Sequence, residues 1–92
     1  MATLDEDVLY RVRSTTVAKD LGAAISAAVY DGKRITLRSI GAGATQQAVK
    51  AVAIARQLVA ARGIDLFMIP GFQDVQMPDR MTTAIILRVR AS

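Results

Sequence analysis

The chain has no cysteine and no histidine. Without cysteine there is neither a disulfide nor a thiolate metal site. Without histidine, the commonest general base and the commonest zinc ligand are gone. Tryptophan is absent as well, and the aromatic residues are only Tyr10, Tyr30, Phe67 and Phe72. No apolar run is long enough to cross a membrane. The N-terminal Met-Ala-Thr-Leu-Asp-Glu-Asp is acidic, unlike the basic start of a secretory signal. These absences lead to the expectation of a cytoplasmic protein with no membrane partner, no cofactor and no metal. An enzyme is not expected either. Ser14 and Ser39 have no base to activate them, and Asp74 and Asp79 sit in a turn-rich stretch with nothing to orient them.

What is present is basic and strongly patterned. At 92 residues there is room for one domain with one core. The net charge is +4, but Asp5, Glu6 and Asp7 crowd the N-terminus. From Val8 onward twelve cations face five acids, a balance of +7. Such a surface suits an anionic partner. Residues 1–7 show no periodicity and are expected to be mobile, leaving 8–92 as a single domain.

Val8 to Arg13 alternates, with Val8, Tyr10 and Val12 on one side and Leu9, Arg11 and Arg13 on the other. That is the pattern of a half-buried strand. Ser14-Thr15-Thr16 offers an N-cap hydroxyl. Val17, Leu21, Ile25, Ala28 and Val29 then recur at helical spacing, up to a glycine stop at Asp31-Gly32. Arg34 to Ile40 alternates again, with Ile35 and Leu37 inward. Gly41-Ala42-Gly43 turns the chain into a second helix that runs to about Arg62-Gly63. Ile64 to Ile69 is a third strand, ended or bulged by Pro70-Gly71. Phe72 to Met81 is expected as a hairpin arm or long turn, and Thr82 to Arg90 as the last strand. Tyr10 and Phe67 are expected in the core, and Phe72 exposed on the arm.

The element order is β-α-β-α-β-β. It predicts an α/β fold of the α+β two-layer kind, a four-stranded mixed sheet with two helices on one face. Each β-α-β crossover is expected to place its two strands side by side and parallel. The second helix is apolar on nearly every side. Only Gln46, Lys50 and Gln57 form a compact polar strip, so the helix must be covered on more than one face. The first helix or a second copy of the chain can supply that cover. With the apolar Ile86 side of the last strand, this surplus predicts a homodimer or higher oligomer.

The stretch Ile40-Gly41-Ala42-Gly43-Ala44, followed by Gln47-Ala48-Val49-Lys50-Ala51 and Ala53-Ile54-Ala55-Arg56, resembles the stage V sporulation protein S family. Gly63-Ile64-Asp65-Leu66, Ile69-Pro70 and Thr83-Ala84-Ile85 extend the likeness, which spans roughly Tyr10 to Val89. That family is similar in turn to Alba, an archaeal chromatin and RNA-binding protein with the same element order. The resemblance implies an Alba-like domain, a dimer and a nucleic-acid-binding role. Alba-type proteins carry basic residues in the first strand–helix loop, whereas Ser14-Thr15-Thr16 is uncharged here.

The expected function is therefore that of a small dimeric regulator that binds DNA or RNA through phosphates, with weak sequence preference. The alternative is a protein–protein interaction module in development or cell division that does not touch nucleic acid. The candidate contacts are Arg38, Gly41, Gly43, Thr45, Gln46, Lys50 and Arg80. Gly41 and Gly43 precede a helix N-terminus, where free N–H groups favour an anion. The same glycines also suit a plain tight turn that lets the helix pack closely. A dinucleotide fingerprint would need a third glycine at Gln46, and a P-loop lysine is missing. The sheet face away from the helices is expected to carry Arg11, Arg13, Arg34, Thr36, Arg38, Arg88 and Arg90, and of these Arg11, Arg13, Arg88 and Arg90 form a second candidate surface. Long arginine stems covering apolar neighbours such as Leu9 and Ile86 would account for that face equally well.

Overall fold

A computed structural model describes residues 7–92. The expected mobile residues 1–6 lie outside the described residues, and Asp7 already belongs to the first strand. The elements are β1 (Asp7–Val12), α1 (Ala18–Tyr30), β2 (Arg34–Ser39), α2 (Ala42–Ala60), β3 (Leu66–Gln76) and β4 (Met81–Ala91). The four strands form one mixed sheet in the order β1-β2-β4-β3.

β1 and β2 are parallel neighbours, as a β-α-β crossover demands. β2 and β3 are not neighbours, contrary to expectation. β4 lies between them, antiparallel to both. The hairpin return puts the apolar β4 in the centre of the sheet and leaves β3 on the edge. Edge position also explains why β3 continues through Pro70 rather than stopping there. Pro70 pairs opposite Leu87, and at an edge its missing N–H costs no ladder bond on the outer side. The expected arm is therefore regular strand. It runs past the ends of β1 and β2 and stretches the molecule to 44 Å.

One face of the sheet carries the core. Val12, Ile35, Leu37, Leu66, Leu87 and Val89 pack against Leu21 and Ile25 of α1 and Ala48, Val52, Ala55 and Val59 of α2. Tyr10 joins this cluster, but Phe67 does not. Phe67 pairs with Arg90 on the open face and is 49% exposed, because Leu66 and Met68 take the inward positions on either side of it.

α1 supplies much of the cover that α2 requires. A side chain at Gly22 would put its Cβ 2.8 Å from Ile54 Cγ2 and 3.0 Å from the Ala51 carbonyl oxygen. Gly22 is thus the point where the two helices touch. Gly22→Ala gains up to about 1 kcal/mol of helix propensity but forces apart a contact that includes backbone, at a cost of roughly 1–3 kcal/mol. The expected net result is a lower Tm by circular dichroism. A variant melting at or above the parent would contradict this contact. At the other end, Tyr30 Oη donates to the Leu58 carbonyl at 3.2 Å, and Arg62 lies 4.3 Å over the Tyr30 ring.

α1 is not capped as its sequence predicts. Its N-cap is Val17, with no side-chain hydrogen bond. The Thr16 hydroxyl instead accepts the Arg13 N–H at 2.8 Å and closes a tight turn over residues 13–16. The C-terminal stop at Gly32 is as expected, with φ +73°. After α2, Asp65 accepts from Arg56 Nε at 2.6 Å and from the Leu66 N–H at 2.9 Å. The Arg56 hydrogen bond holds the Asp65 carboxylate below its ordinary pKa.

Candidate nucleic-acid interface

The carboxyl ends of parallel strands leave their open backbone groups and following loops at one edge, the usual place for a ligand crevice in such sheets. Here that edge holds a depression of about 560 Å³. β1 contributes Arg11, the turn after it Arg13 and Ser14, and β2 contributes Arg38. Gly41 and Gly43 form its helical wall, and Val75 and Met77 of the β3–β4 arm close its far side.

Arg11 and Arg38 are direct register partners across β1 and β2. Like charges in directly opposite positions destabilise a sheet. No acid lines the depression. Among the described residues the ion pairs are Arg34 with Asp7, at 3.1 Å, and Arg56 with Asp65. Neither neutralises Arg11, Arg13 or Arg38. The nearest fixed dipole adds to the positive potential. α2 begins at Gly41 with no side-chain cap and no acid in its first turn. Its first backbone bond runs from the Thr45 N–H to the Gly41 carbonyl at 3.1 Å. The N–H groups of Ala42, Gly43 and Ala44 precede that bond and are left for an outside acceptor.

The two glycines have different duties. Gly41 has φ +91° and ψ 159°, a conformation open in practice only to glycine. Gly43 is helical, and a Cβ there would lie 3.1 Å from Ser14 Cβ. It lets the β1–α1 turn close onto α2. Gln47 Nε2 holds the same turn by donating to the Thr16 carbonyl at 2.7 Å.

The other sequence candidates fall elsewhere. The Thr45 hydroxyl donates to the Gly41 carbonyl at 3.0 Å, so the 2.9 Å contact with the buried Ser39 hydroxyl has Ser39 as donor. Thr45 therefore braces the turn from inside. Gln46 and Lys50 are exposed on α2 outside the depression. Arg80 is exposed at the hairpin tip, where its carbonyl accepts the Met77 N–H at 2.7 Å. Arg88 lies on the open face opposite Thr36, and Arg90 follows it with Nη1 donating to the Val89 carbonyl. Arg11 and Arg13, read from sequence as a second candidate surface on the same sheet face as Arg38, share the depression with it and with the glycine turn. The missing signal was register. Only the parallel pairing of β1 with β2 brings residues 11–14 beside 38–43. Val75 and Met77 were legible only as part of a turn.

No helix of the described residues is long and apolar enough to cross a membrane, and no cluster of acidic side chains among them can hold a metal ion. The family model for Stage V sporulation protein S matches residues 8–92, nearly the whole chain.

Proposed function

The chain belongs to the stage V sporulation protein S family, a sporulation-related family of small proteins, and on that premise we propose that it is a non-enzymatic regulator that binds DNA or RNA through phosphates. One observation carries this reading. Arg11, Arg13 and Arg38 converge on an acid-free depression beside the uncapped start of α2. Uncompensated like charges at that spacing favour an anion between them, and a phosphate accepts both guanidinium and backbone N–H donors. Sequence preference is weak in this reading. The outward face of α2 mixes Gln46, Lys50 and Gln57 with Val49, Ala53 and Ala60, which gives few donors for base edges. The protein acts in the cytoplasm, where nucleic acid is within reach.

The test is fluorescence anisotropy with short labelled DNA and RNA at about 50 and 200 mM salt, the range over which phosphate contacts show their salt dependence. Three phosphate contacts give a log–log salt slope of roughly −2 to −3. No binding at the lower salt would remove the reading and leave the protein-partner module in its place.

The same proposal includes self-association. Ile86 does not contribute to it, since it is 7% exposed and buried within its own chain. α2 still presents Val49 among small residues on its outward face, and that face is where a second copy fits. Light scattering at about 50 μM, well above an assumed Kd of about 1 μM, is expected to show a dimer or larger. A monomer at that concentration would refute self-association without touching the phosphate reading.

A further inference from the structure

The sheet face away from the helices remains uncovered, and its composition is specific. Two rows cross it in register. One is Leu9, Thr36, Arg88 and Ile69, and the next is Arg11, Arg38, Ile86 and Gly71. Arg90 and Phe67 continue the pattern on β4 and β3. Cationic and apolar side chains thus share one surface, with Thr36 and Gly71 among them. Leu9, Phe67 and Ile69 are each close to half exposed. Phe72, 79% exposed, lines a second depression of about 310 Å³ on this face together with Arg38 and Arg88. The surface also runs into the first depression, because Arg11 and Arg38 belong to both.

From this we infer that the open sheet face takes single-stranded nucleic acid, with a base stacked on Phe67 and phosphates held by Arg38, Arg88 and Arg90. The inference rests on the nucleic-acid reading above and names its substrate class. A duplex presents phosphates but keeps its bases stacked on one another, so it leaves Phe67, Ile69 and Leu9 in water. A single strand offers free base faces to cover them, and each base stacked on an aromatic ring contributes about 1–3 kcal/mol. A second copy laid face to face would bring together the arginines of two such faces, with Asp7 as the one acid of the described strands on that side to offset them. An acidic polypeptide matches the charge but not the flat apolar rows.

The experiment compares a labelled twelve-residue oligothymidylate, a duplex of the same length and poly-glutamate as a competitor, at one moderate salt concentration. The single strand is expected to bind at least tenfold tighter than the duplex, with poly-glutamate a poor competitor. Phe67→Ala is expected to weaken single-strand binding about 5- to 150-fold, from the stacking energy of one base. Duplex binding stays as in the parent, since no charge is lost. Phe67→Trp gives a readout that does not rest on truncation. The chain has no tryptophan, so all such emission comes from position 67. The single strand is expected to quench it and the duplex to leave it unchanged. Equal or tighter duplex binding, an unquenched tryptophan, unaltered affinity in Phe67→Ala, or competition by poly-glutamate equal to that of the single strand would each overturn the inference while leaving phosphate binding in place. If neither nucleic acid binds even at low salt, the broader reading falls and this one with it.

Discussion

Reversing Arg13 and Arg38 together to glutamate is expected to abolish binding to short DNA and RNA at about 150 mM salt. Both residues line the same acid-free depression, on opposite sides of the β1–β2 seam. A hydrogen bond to a charged group contributes about 1.5–3 kcal/mol, so losing two such contacts raises Kd by roughly 100-fold or more. Repulsion from the two new carboxylates adds to that. The log–log salt slope should become shallower by nearly two units, and all sequences should be affected alike, because phosphates carry no base identity. The fold should survive. Arg38 stands opposite Arg11, and a carboxylate in its place turns a like-charge pair into an attractive one. Lys50→Glu is the internal control. It removes an exposed cation outside the depression and is expected to change Kd only a few-fold, by long-range repulsion. If Lys50→Glu proved as damaging as the arginine pair, the contact surface would lie on the outward face of α2 instead.

The sequence made the alternating strands, the two helices and their glycine stops legible because each is a local pattern. Val12, Ile35, Leu37, Leu87 and Val89 face inward as period-two alternation requires. What failed were inferences about neighbours. Nothing local indicates that β4 inserts between β2 and β3, or that Pro70 sits on an edge and therefore does not stop its strand. Phe67 illustrates the same limit. Its hydrophobicity argues for the core, but its parity in β3 is fixed by Leu66 and Met68, and parity wins. For the candidate site, the glycine turn and Arg38 lie in one continuous segment, and the resemblance at residues 40–56 pointed to the family that matches residues 8–92. The expected parallel pairing of β1 with β2 already put Arg11 and Arg13 on one sheet face with Arg38, and only the register that sets Arg11 opposite Arg38 and residues 11–14 beside the glycine turn is a tertiary fact. Thr45 looked available because its hydroxyl is polar and follows the turn, but Ser39 and the Gly41 carbonyl already occupy it.

Gly41→Ala and Gly43→Ala are expected to separate the stability of the turn from its use. At Gly41 an added Cβ meets nothing within 4 Å, so the whole cost is backbone conformation at φ +91° and ψ 159°. Strain of that kind costs on the order of 1–3 kcal/mol, which lowers Tm by roughly 5–20 °C for a domain of this size. The loss can be relieved only by moving the start of α2, which also moves the N–H groups of Ala42, Gly43 and Ala44 away from the three arginines. Gly43 is already helical, so alanine there gains helix propensity of up to about 1 kcal/mol. Against that gain stands the 3.1 Å approach to Ser14 Cβ, in an exposed turn that can yield by a few tenths of an ångström. The two effects roughly offset, and Gly43→Ala is expected to melt close to the parent. Its methyl group nonetheless lies in the wall of the depression and blocks close approach of an anion to the backbone. Gly43→Ala should therefore keep its Tm and lose nucleic-acid affinity, while Gly41→Ala loses both. Thermal melts and anisotropy titrations on the same two variants decide the matter. If both variants melt like the parent, the turn carries no conformational strain. If Gly43→Ala also binds like the parent, the backbone N–H groups are not part of the contact, and the arginines act alone.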